Sequence, residues 1–177
     1  MDGKAAVEQF IRGLSFTNSN SNSNSTPPAV NFTFVKPSFF YENFIGFFPL
    51  QKKDDGHLAF TIPMSDKPLS MMSVEDVGPI VSAIFQSPEE WKGKSLRMAG
   101  DTLKMHDVAR IFQAATGVPA KYEPETLHRF RKLTFRGAEE VANLFQFLQE
   151  FPPVVDIPAV RKLHPSLMSW EDWLKSS

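Results

Sequence analysis

The chain has 177 residues, of which 42% are hydrophobic and 22% charged, and this predicts one globular domain with a substantial core. Lys and Arg total 19 against 20 Asp and Glu, so a net charge of −1 gives no electrostatic reason to expect binding to nucleic acids or anionic membranes. The absence of Cys excludes disulfides, thiolate catalysis and Cys-ligated zinc.

The N-terminal elements are a helix, a polar insertion and a strand. Apolar residues recur at helical spacing over residues 4–14, with Asp2 as a candidate N-cap. Residues 17–29 contain an Asn-Ser alternation that ends in two prolines, which predicts a flexible insertion. Residues 30–35 alternate with period two and are rich in β-forming side chains, so they predict a strand.

The middle of the chain predicts short strands separated by turns. Residues 38–48 are aromatic and partly helical in pattern. The turn signal at Gly56 precedes a strand over residues 57–62, and residues 69–72 form another short strand. Ser73 then has the side chain and spacing of a helix N-cap.

The C-terminal part is expected to be rich in helices. Residues 95–99 predict a strand, and residues 102–116 predict a helix that Gly117 closes in a left-handed conformation. A short strand over residues 120–123 follows, and the remaining periodic segments are helices at 125–132, 138–150 and 170–174. The sequence holds no Gly-rich dinucleotide fingerprint, Walker motif or nucleophile elbow.

Histidines and carboxylate pairs are the usual candidates for acid–base or metal chemistry, but their spacing here suits neither. No two histidines stand at the separation of a metal site, and neighbouring carboxylates on a helix point apart. We therefore expect surface or capping roles for His57, His106, His128 and His164.

The segment at residues 36–43 is the best candidate for a ligand site. A predicted strand ends at Pro37, and an aromatic and polar stretch follows it. Ligands of open α/β sheets bind at the carboxyl ends of the strands. Asn43 offers a hydrogen-bond donor and an acceptor there, and Tyr41 an amphipathic ring. The alternative is that these aromatic rings simply pack in the core.

Seven motifs occur in order along nearly the whole chain: DGKAAVE at 2–8, PSFFYEN at 37–43, PLQK at 49–52, IPMSDKPL at 62–69, MSVEDVGP at 72–79, GAEEVANLF at 137–145 and SWEDWL at 169–174. Together they resemble the C-terminal half of the NmrA-like family, which is similar to atypical short-chain dehydrogenases. The resemblance implies an α/β chain with an incomplete NAD(P)-binding Rossmann-like fold. One NmrA-like domain over residues 1–177 would combine a sheet remnant at 1–99 with an α-rich lobe at 100–177.

The resemblance also implies a set of cofactor-binding residues. Lys4 resembles the family lysine that reaches the nicotinamide ribose, and the segment bordering the nicotinamide end aligns with Phe40, Tyr41, Glu42 and Asn43. NADP(H) is the implied cofactor, although the family's Gly-rich fingerprint is missing. The catalytic Tyr of short-chain dehydrogenases would fall before Met1, so no catalytic residue is assigned. We expect the pocket between Lys4, residues 40–43 and the loop at 63–68.

Three functions remain as alternatives at this point. The first is a non-catalytic redox sensor or regulator that acts through a protein partner, with residues 102–150 as the contact surface by family analogy. The second is an NAD(P)H-dependent reductase of the isoflavone-reductase type with Lys4 as base, and the third is a non-functional remnant. A cytoplasmic or nuclear location and a homodimer are compatible with the sequence, whereas direct contact with nucleic acid or membrane is not expected.

Overall fold

The computed structural model describes residues 3–16 and 31–176. The predicted Asp2 cap and the insertion at 17–29 lie outside these ranges. The helices are α1 (Gly3–Phe16), α2 (Val77–Gln86), α3 (Pro88–Trp91), α4 (Met105–Thr116), α5 (Leu127–Phe130), α6 (Ala138–Glu150), α7 (Ile157–Leu163) and α8 (Trp170–Ser176). The strands are β1 (Phe34–Pro37), β2 (Phe39–Phe40), β3 (Gln51–Lys52), β4 (Leu58–Phe60), β5 (Leu69–Met72), β6 (Ser95–Met98), β7 (Asp101–Leu103) and β8 (Ala120–Tyr122).

The strands form three small sheets with parallel and antiparallel pairs. β1 runs parallel to β6, with Phe34 opposite Ser95. β2 is parallel to β5, which is antiparallel to β7 on its other side. β4 lies between antiparallel β3 and parallel β8. The parallel pairs and the helices between them confirm the predicted α/β class. Among the described helices, none has the length and apolar character needed to cross a bilayer.

Two hydrophobic clusters form the core. The larger one is rich in aromatic rings and includes the fully buried Tyr41, Phe60, Phe145 and Trp170. The smaller one joins α2, β6 and α7. The larger cluster draws residues from both sides of residue 100, while the division of the domain at that position stays a prediction.

Several predicted boundaries are wrong. The strand expected at 57–62 covers only Leu58–Phe60, the helix expected at 125–132 covers only Leu127–Phe130, and the helix expected at 170–174 extends to Ser176. Three further boundaries moved because of a tertiary contact. The strand expected at 30–35 begins at Phe34, because its partner β6 begins opposite that residue. Ser73 does not cap α2, which begins only at Val77: the Ser73 hydroxyl accepts from the backbone N–H of Glu75 at 3.1 Å and donates to Glu42, but the segment is not helical there. The helix expected from Thr102 begins at Met105, because residues 101–103 pair with β5 as a strand.

Other predictions are confirmed. The helix at 138–150 and the strand at 69–72 have the predicted bounds. Gly117 closes α4 with a φ of 73°, a left-handed conformation that costs little for a residue without Cβ.

Candidate functional site

A cavity of about 300 Å³ lies where β1 and β2 end. Phe40 at the end of β2 forms part of its wall, and Pro68, just before β5, forms another part. Leu144 and Leu148 of α6 line the cavity too. The carboxyl ends of two parallel-paired strands therefore meet a helix, which is the usual place for a ligand in an α/β protein.

The predicted site residues separate into two groups around this cavity. Phe40 and Asn43 are among the residues that line it. Tyr41 and Glu42 are not, although they stand between those two in the chain. Lys4 is exposed in the first turn of α1 and is also outside the lining set. The geometry thus brings Phe40 and Asn43 together at a cavity, and the cofactor role of all five residues stays a prediction.

Tyr41 lies in the aromatic core. Its side chain is 0% exposed, and its ring centroid is 5.2 Å from that of Trp170 and 5.7 Å from that of Trp173. Its hydroxyl donates to the carbonyl oxygen of Met168 at 3.5 Å. Burial raises the pKa of Tyr41, and the charge of Asp101 adds to this effect. A phenol that is buried and neutral in this way serves packing and holds the segment before α8.

Glu42 connects three parts of the chain through its carboxylate. Its Oε1 accepts hydrogen bonds from the Ser73 hydroxyl at 2.7 Å and from the Trp173 indole Nε1 at 3.1 Å. The backbone N–H of Val74 donates to the same carboxylate at 3.1 Å. Hydrogen bonds to a charged acceptor are stronger than neutral ones. Glu42 therefore fixes α8 and the segment before α2 onto the turn at residues 41–44.

Two further aspartates hold α8 and the loop before it. Asp101 accepts from the backbone N–H of Trp170 at 2.6 Å, and burial raises the pKa of Asp101. Asp76, which is 1% exposed, accepts from the backbone N–H of Met168 at 3.2 Å and contacts His164 Nε2 at 2.9 Å. Helix α8 is thus docked by carboxylates from three separate segments.

The loop at 63–68 contributes less to the cavity than predicted. Pro68 lines the cavity, but the beginning of the loop is hydrogen-bonded to Tyr122, away from the cavity lining. The Tyr122 hydroxyl donates to the Ile62 carbonyl and accepts from the Met64 N–H, both at 3.0 Å. Burial raises the pKa of Tyr122 to about 12, so this hydroxyl stays protonated.

The side chains around the cavity suit binding better than proton transfer. Its polar lining residues are Ser38, Asn43 and Ser70, and no Asp, Glu, His, Lys, Arg or Tyr lines it among the described residues. General acid–base catalysis needs an ionisable group within hydrogen-bond reach of the reacting atom. The cavity therefore offers a largely apolar space with a few hydrogen-bonding groups and no ionisable side chain among the described lining residues.

Sequence reasoning did not assign a role to Trp170 and Trp173, which join the site to the C-terminus. The two rings stack at 5.3 Å between centroids and contact the Tyr41 side of the turn. Their spacing of three residues on a predicted helix places both on one face. This spacing indicates that the two rings contact the same surface, but it does not identify that surface.

Comparison with known proteins gives a consistent family and fold. The NmrA-like family model matches residues 1–174. The curated relative lnaB of Aspergillus flavus, named an NmrA-like family domain-containing oxidoreductase, is 30% identical over 84% of this chain and 45% of its own length. Another, FrzB of Cladobotryum, is 25% identical over 84% of this chain and 46% of its own length. The chain spans about half the length of these two relatives.

Solved structures show the same fold at lower identity. NmrA, a negative transcriptional regulator in complex with NADP, superposes with a TM-score of 0.67 at 20% identity, covering 82% of this chain and 52% of that one. An NADPH-dependent quinone oxidoreductase from Escherichia coli gives a TM-score of 0.67 at 15% identity, covering 83% and 55%. These likenesses show a shared Rossmann-like fold.

Proposed function

This chain belongs to the NmrA-like family, and we propose that it is a non-catalytic regulatory protein that senses NADP(H) and acts through protein contacts. The proposal rests on the turn at residues 41–44 together with Phe40, the residue before it. Phe40 and Asn43 line the cavity, whereas Tyr41 and Glu42 hold α8. A ligand that restrains one side of this short segment also restrains the other, so occupancy of the cavity is coupled to the docking of α8.

The cavity fits the nicotinamide end of the cofactor and not its phosphates. Phe40 provides an aromatic surface, and the Asn43 side chain can exchange hydrogen bonds with a carboxamide. A pyrophosphate needs backbone N–H groups at a helix N-terminus or cationic side chains, and neither is present in the cavity lining. When bound, the cofactor would supply a ring that exists in two redox states.

The absence of charge in the lining supports sensing of the redox state. The reduced nicotinamide ring is neutral, whereas the oxidised ring is positively charged. Burial of a charge without a counter-ion is costly. The cavity should therefore bind NADPH more tightly than NADP⁺, and the position of α8 would report the difference.

The partner surface we propose is the exposed face of α6. Leu144, Phe147 and Phe151 are 49%, 56% and 62% exposed and follow one another at helical spacing at the end of this helix. Contiguous exposed apolar side chains are typical of interaction surfaces. Because Leu144 also lines the cavity, a partner on this face would lie beside the ligand. A second copy of the chain is the alternative occupant.

Thermal unfolding with NADPH and with NADP⁺ tests the proposal. Ligand binding to the folded state alone raises the unfolding midpoint, so NADPH should raise it more than NADP⁺ does. Hydrogen exchange should then slow in α8 as well as at residues 41–44. The substitution Asn43→Ala should remove both effects, while Asn143→Ala on the exposed side of α6 should leave them unchanged. A midpoint that neither nucleotide moves would contradict the proposal.

The second candidate function is an NAD(P)H-dependent reductase. The names of the curated relatives as oxidoreductases favour it. Steady-state NADPH oxidation with a quinone acceptor tests it directly, with Lys4→Ala as the variant that should abolish turnover if Lys4 is the base.

The third alternative, a remnant without function, would be supported if the chain melted without cooperativity.

A further inference from the structure

The walls of the cavity contain two polar side chains without partners. The Ser38 hydroxyl oxygen is buried and makes no hydrogen bond within residues 3–16 and 31–176, although the Ser38 backbone N–H donates to Met98 at 3.1 Å. The carboxamide of the half-buried Asn43 also has no partner in the described part of the chain. Buried polar groups in native proteins are nearly always paired, so an unpaired hydroxyl in a ligand cavity needs an explanation.

The third polar residue of the lining differs from these two. Ser70 shares a hydrogen bond of 2.9 Å with the hydroxyl of Thr102 and is therefore satisfied. Unpaired polar groups in the lining are thus confined to Ser38, which directly follows β1, and Asn43, which lies in the turn after β2. The rest of the lining is aromatic, aliphatic or proline.

We propose that the cavity binds a neutral, flat aromatic compound with a carbonyl group, whose oxygen accepts hydrogen bonds from Ser38 and Asn43. Neutrality follows from a lining without ionisable side chains. Flatness and aromatic character follow from the rings of Phe39 and Phe40. A serine hydroxyl reorients by rotation about one bond, so the wall can present it to the ligand without movement of the backbone.

This inference rests on the proposed function, because it assigns a second ligand class to the same cavity. It adds a reason for the presence of Ser38. An unpaired buried hydroxyl destabilises the folded protein, so Ser38 is explained more simply by binding than by packing. The substitution Ser38→Ala should accordingly leave the thermal midpoint unchanged or raise it.

Two fluorinated probes of nearly equal shape test the proposal by ¹⁹F NMR line broadening. The ketone 4-fluoroacetophenone carries the carbonyl, and the hydrocarbon 4-fluoro-α-methylstyrene has a CH2 group in place of its oxygen. We expect the ketone to bind about 25-fold more tightly, because each of the two neutral hydrogen bonds contributes roughly fivefold. In Ser38→Ala the ketone should lose about fivefold of this advantage, because Asn43 still donates, and the affinity of the hydrocarbon should not change. Asn43→Ala should weaken ketone binding in the same way.

The controls separate this inference from others. Ser82→Ala removes an exposed hydroxyl of α2 and should change neither affinity. The hydrocarbon reports unspecific binding, including any in the separate apolar cavity of about 410 Å³ that Ile11 and Phe85 line. Equal affinity for both probes, no binding of the ketone, or an unchanged ketone affinity in Ser38→Ala would each overturn the proposal.

The same samples distinguish failure of this inference from failure of the proposed function. Specific ketone binding without any NADPH-dependent rise in midpoint would leave the neutral-ligand site standing and remove the NADP(H)-sensing role. A midpoint shift by NADPH without carbonyl-dependent binding would remove the ketone site and leave the sensing role standing.

Discussion

Two regions of this protein use the same residue type in opposite ways. In the region we call the aromatic body, which surrounds Tyr41 and Trp170, phenylalanines such as Phe60 and Phe145 are buried and meet their neighbours at edge-to-face or tilted angles. In the region we call the α1 side, formed by α1, β1, β6 and α2, Phe10 and Phe85 are 67% and 78% exposed. The abundance of Phe alone therefore does not predict where the core lies.

The two regions are also held by different forces. The aromatic body is held by apolar burial, and carboxylates fix its C-terminal helix. On the α1 side, α2 and β6 share the smaller hydrophobic cluster, but α1 itself is attached by exposed polar contacts: Arg12 donates to the Ser95 hydroxyl at 2.7 Å, and its guanidinium lies 4.9 Å from the Phe34 ring centroid. Glu8 pairs with Lys36 at 2.6 Å. Solvent weakens such contacts, so most of the free energy of unfolding should come from the aromatic body.

Truncation of one aromatic residue in each region gives the largest contrast. Trp170→Ala should lower the free energy of unfolding by about 3–5 kcal/mol, because it opens a cavity and removes the indole hydrogen bond to Val108. Phe85→Ala, on the exposed surface of α2, should change it by no more than about 0.5 kcal/mol. Urea unfolding followed by circular dichroism measures both. Similar losses in the two variants would mean that the α1 side is covered in solution.

A pair of glycines tests how tightly α8 is docked on the aromatic body. A Cβ at Gly100 would lie far inside contact distance of the Met168 carbonyl oxygen and 3.0 Å from the Tyr41 hydroxyl. We expect Gly100→Ala to cost about 1–3 kcal/mol, with altered Trp fluorescence as α8 is displaced. Gly78→Ala in α2 meets no atom within 4 Å and should stabilise the helix by about 0.5–1 kcal/mol. Gains in both variants would contradict the close approach.

The sequence predicted local structure well where the local pattern was strong. The apolar repeat of residues 138–150 and the left-handed Gly117 gave the correct ends of α6 and α4. It failed where a distant segment decided the outcome. Ser73 has every local feature of an N-cap and accepts from the backbone N–H of Glu75, yet its hydroxyl also donates to the distant Glu42 and α2 begins four residues later. Residues 101–103 form the strand β7 because they pair with the edge of β5. No local sequence pattern can indicate such a pairing.

The candidate site was predicted only in part, because distant contacts also decide which of its side chains face the cavity. The position at the end of a strand and the motif at residues 37–43 pointed to the correct region of the chain. Which side chains of that motif face the cavity depends on a short 3-10 turn, and there Tyr41 and Glu42 point to α8. Ser38 stood within the motif, but its lack of a partner becomes visible only when its surroundings are known.

The third test uses pH at the edge of the aromatic body. His57, which is 7% exposed, contacts Asp55 through Nδ1 and Glu123 through Nε2. Hydrogen bonds from His57 lower the pKa of Asp55, and hydrogen bonds from Lys53 and then His57 lower the pKa of Glu123. Both carboxylates therefore bind protons more tightly in the unfolded chain. Their stabilisation is complete above about pH 5, where the carboxyls of the unfolded chain are also ionised, and it is lost as the pH falls through the lowered folded-state pKa values.

Removal of the imidazole should flatten this acid response. In His57→Asn the two carboxylates lose a hydrogen-bond partner, so their pKa values should rise towards those of the unfolded chain. The thermal midpoint should then fall less steeply between about pH 5 and pH 3 than in the original protein. His128→Asn replaces an exposed histidine and should keep the original slope. An equally steep fall in both variants would assign the acid sensitivity to other groups.

The smallest expected effect concerns the ion pair that joins α1 to β1. Hydrogen bonds from Lys36 and then Arg12 lower the pKa of Glu8, which shows that its charge is stabilised in the folded state. Glu8→Gln should lower the midpoint slightly and speed hydrogen exchange in α1, without affecting α8. Since salt screens exposed pairs, both differences should vanish at about 1 M salt. Glu75→Gln neutralises an exposed carboxylate outside α1 and should produce neither effect. A loss that salt does not reduce would mean that Glu8 acts through packing, and the attachment of α1 by polar contacts, in contrast to the apolar aromatic body, would then be incorrect.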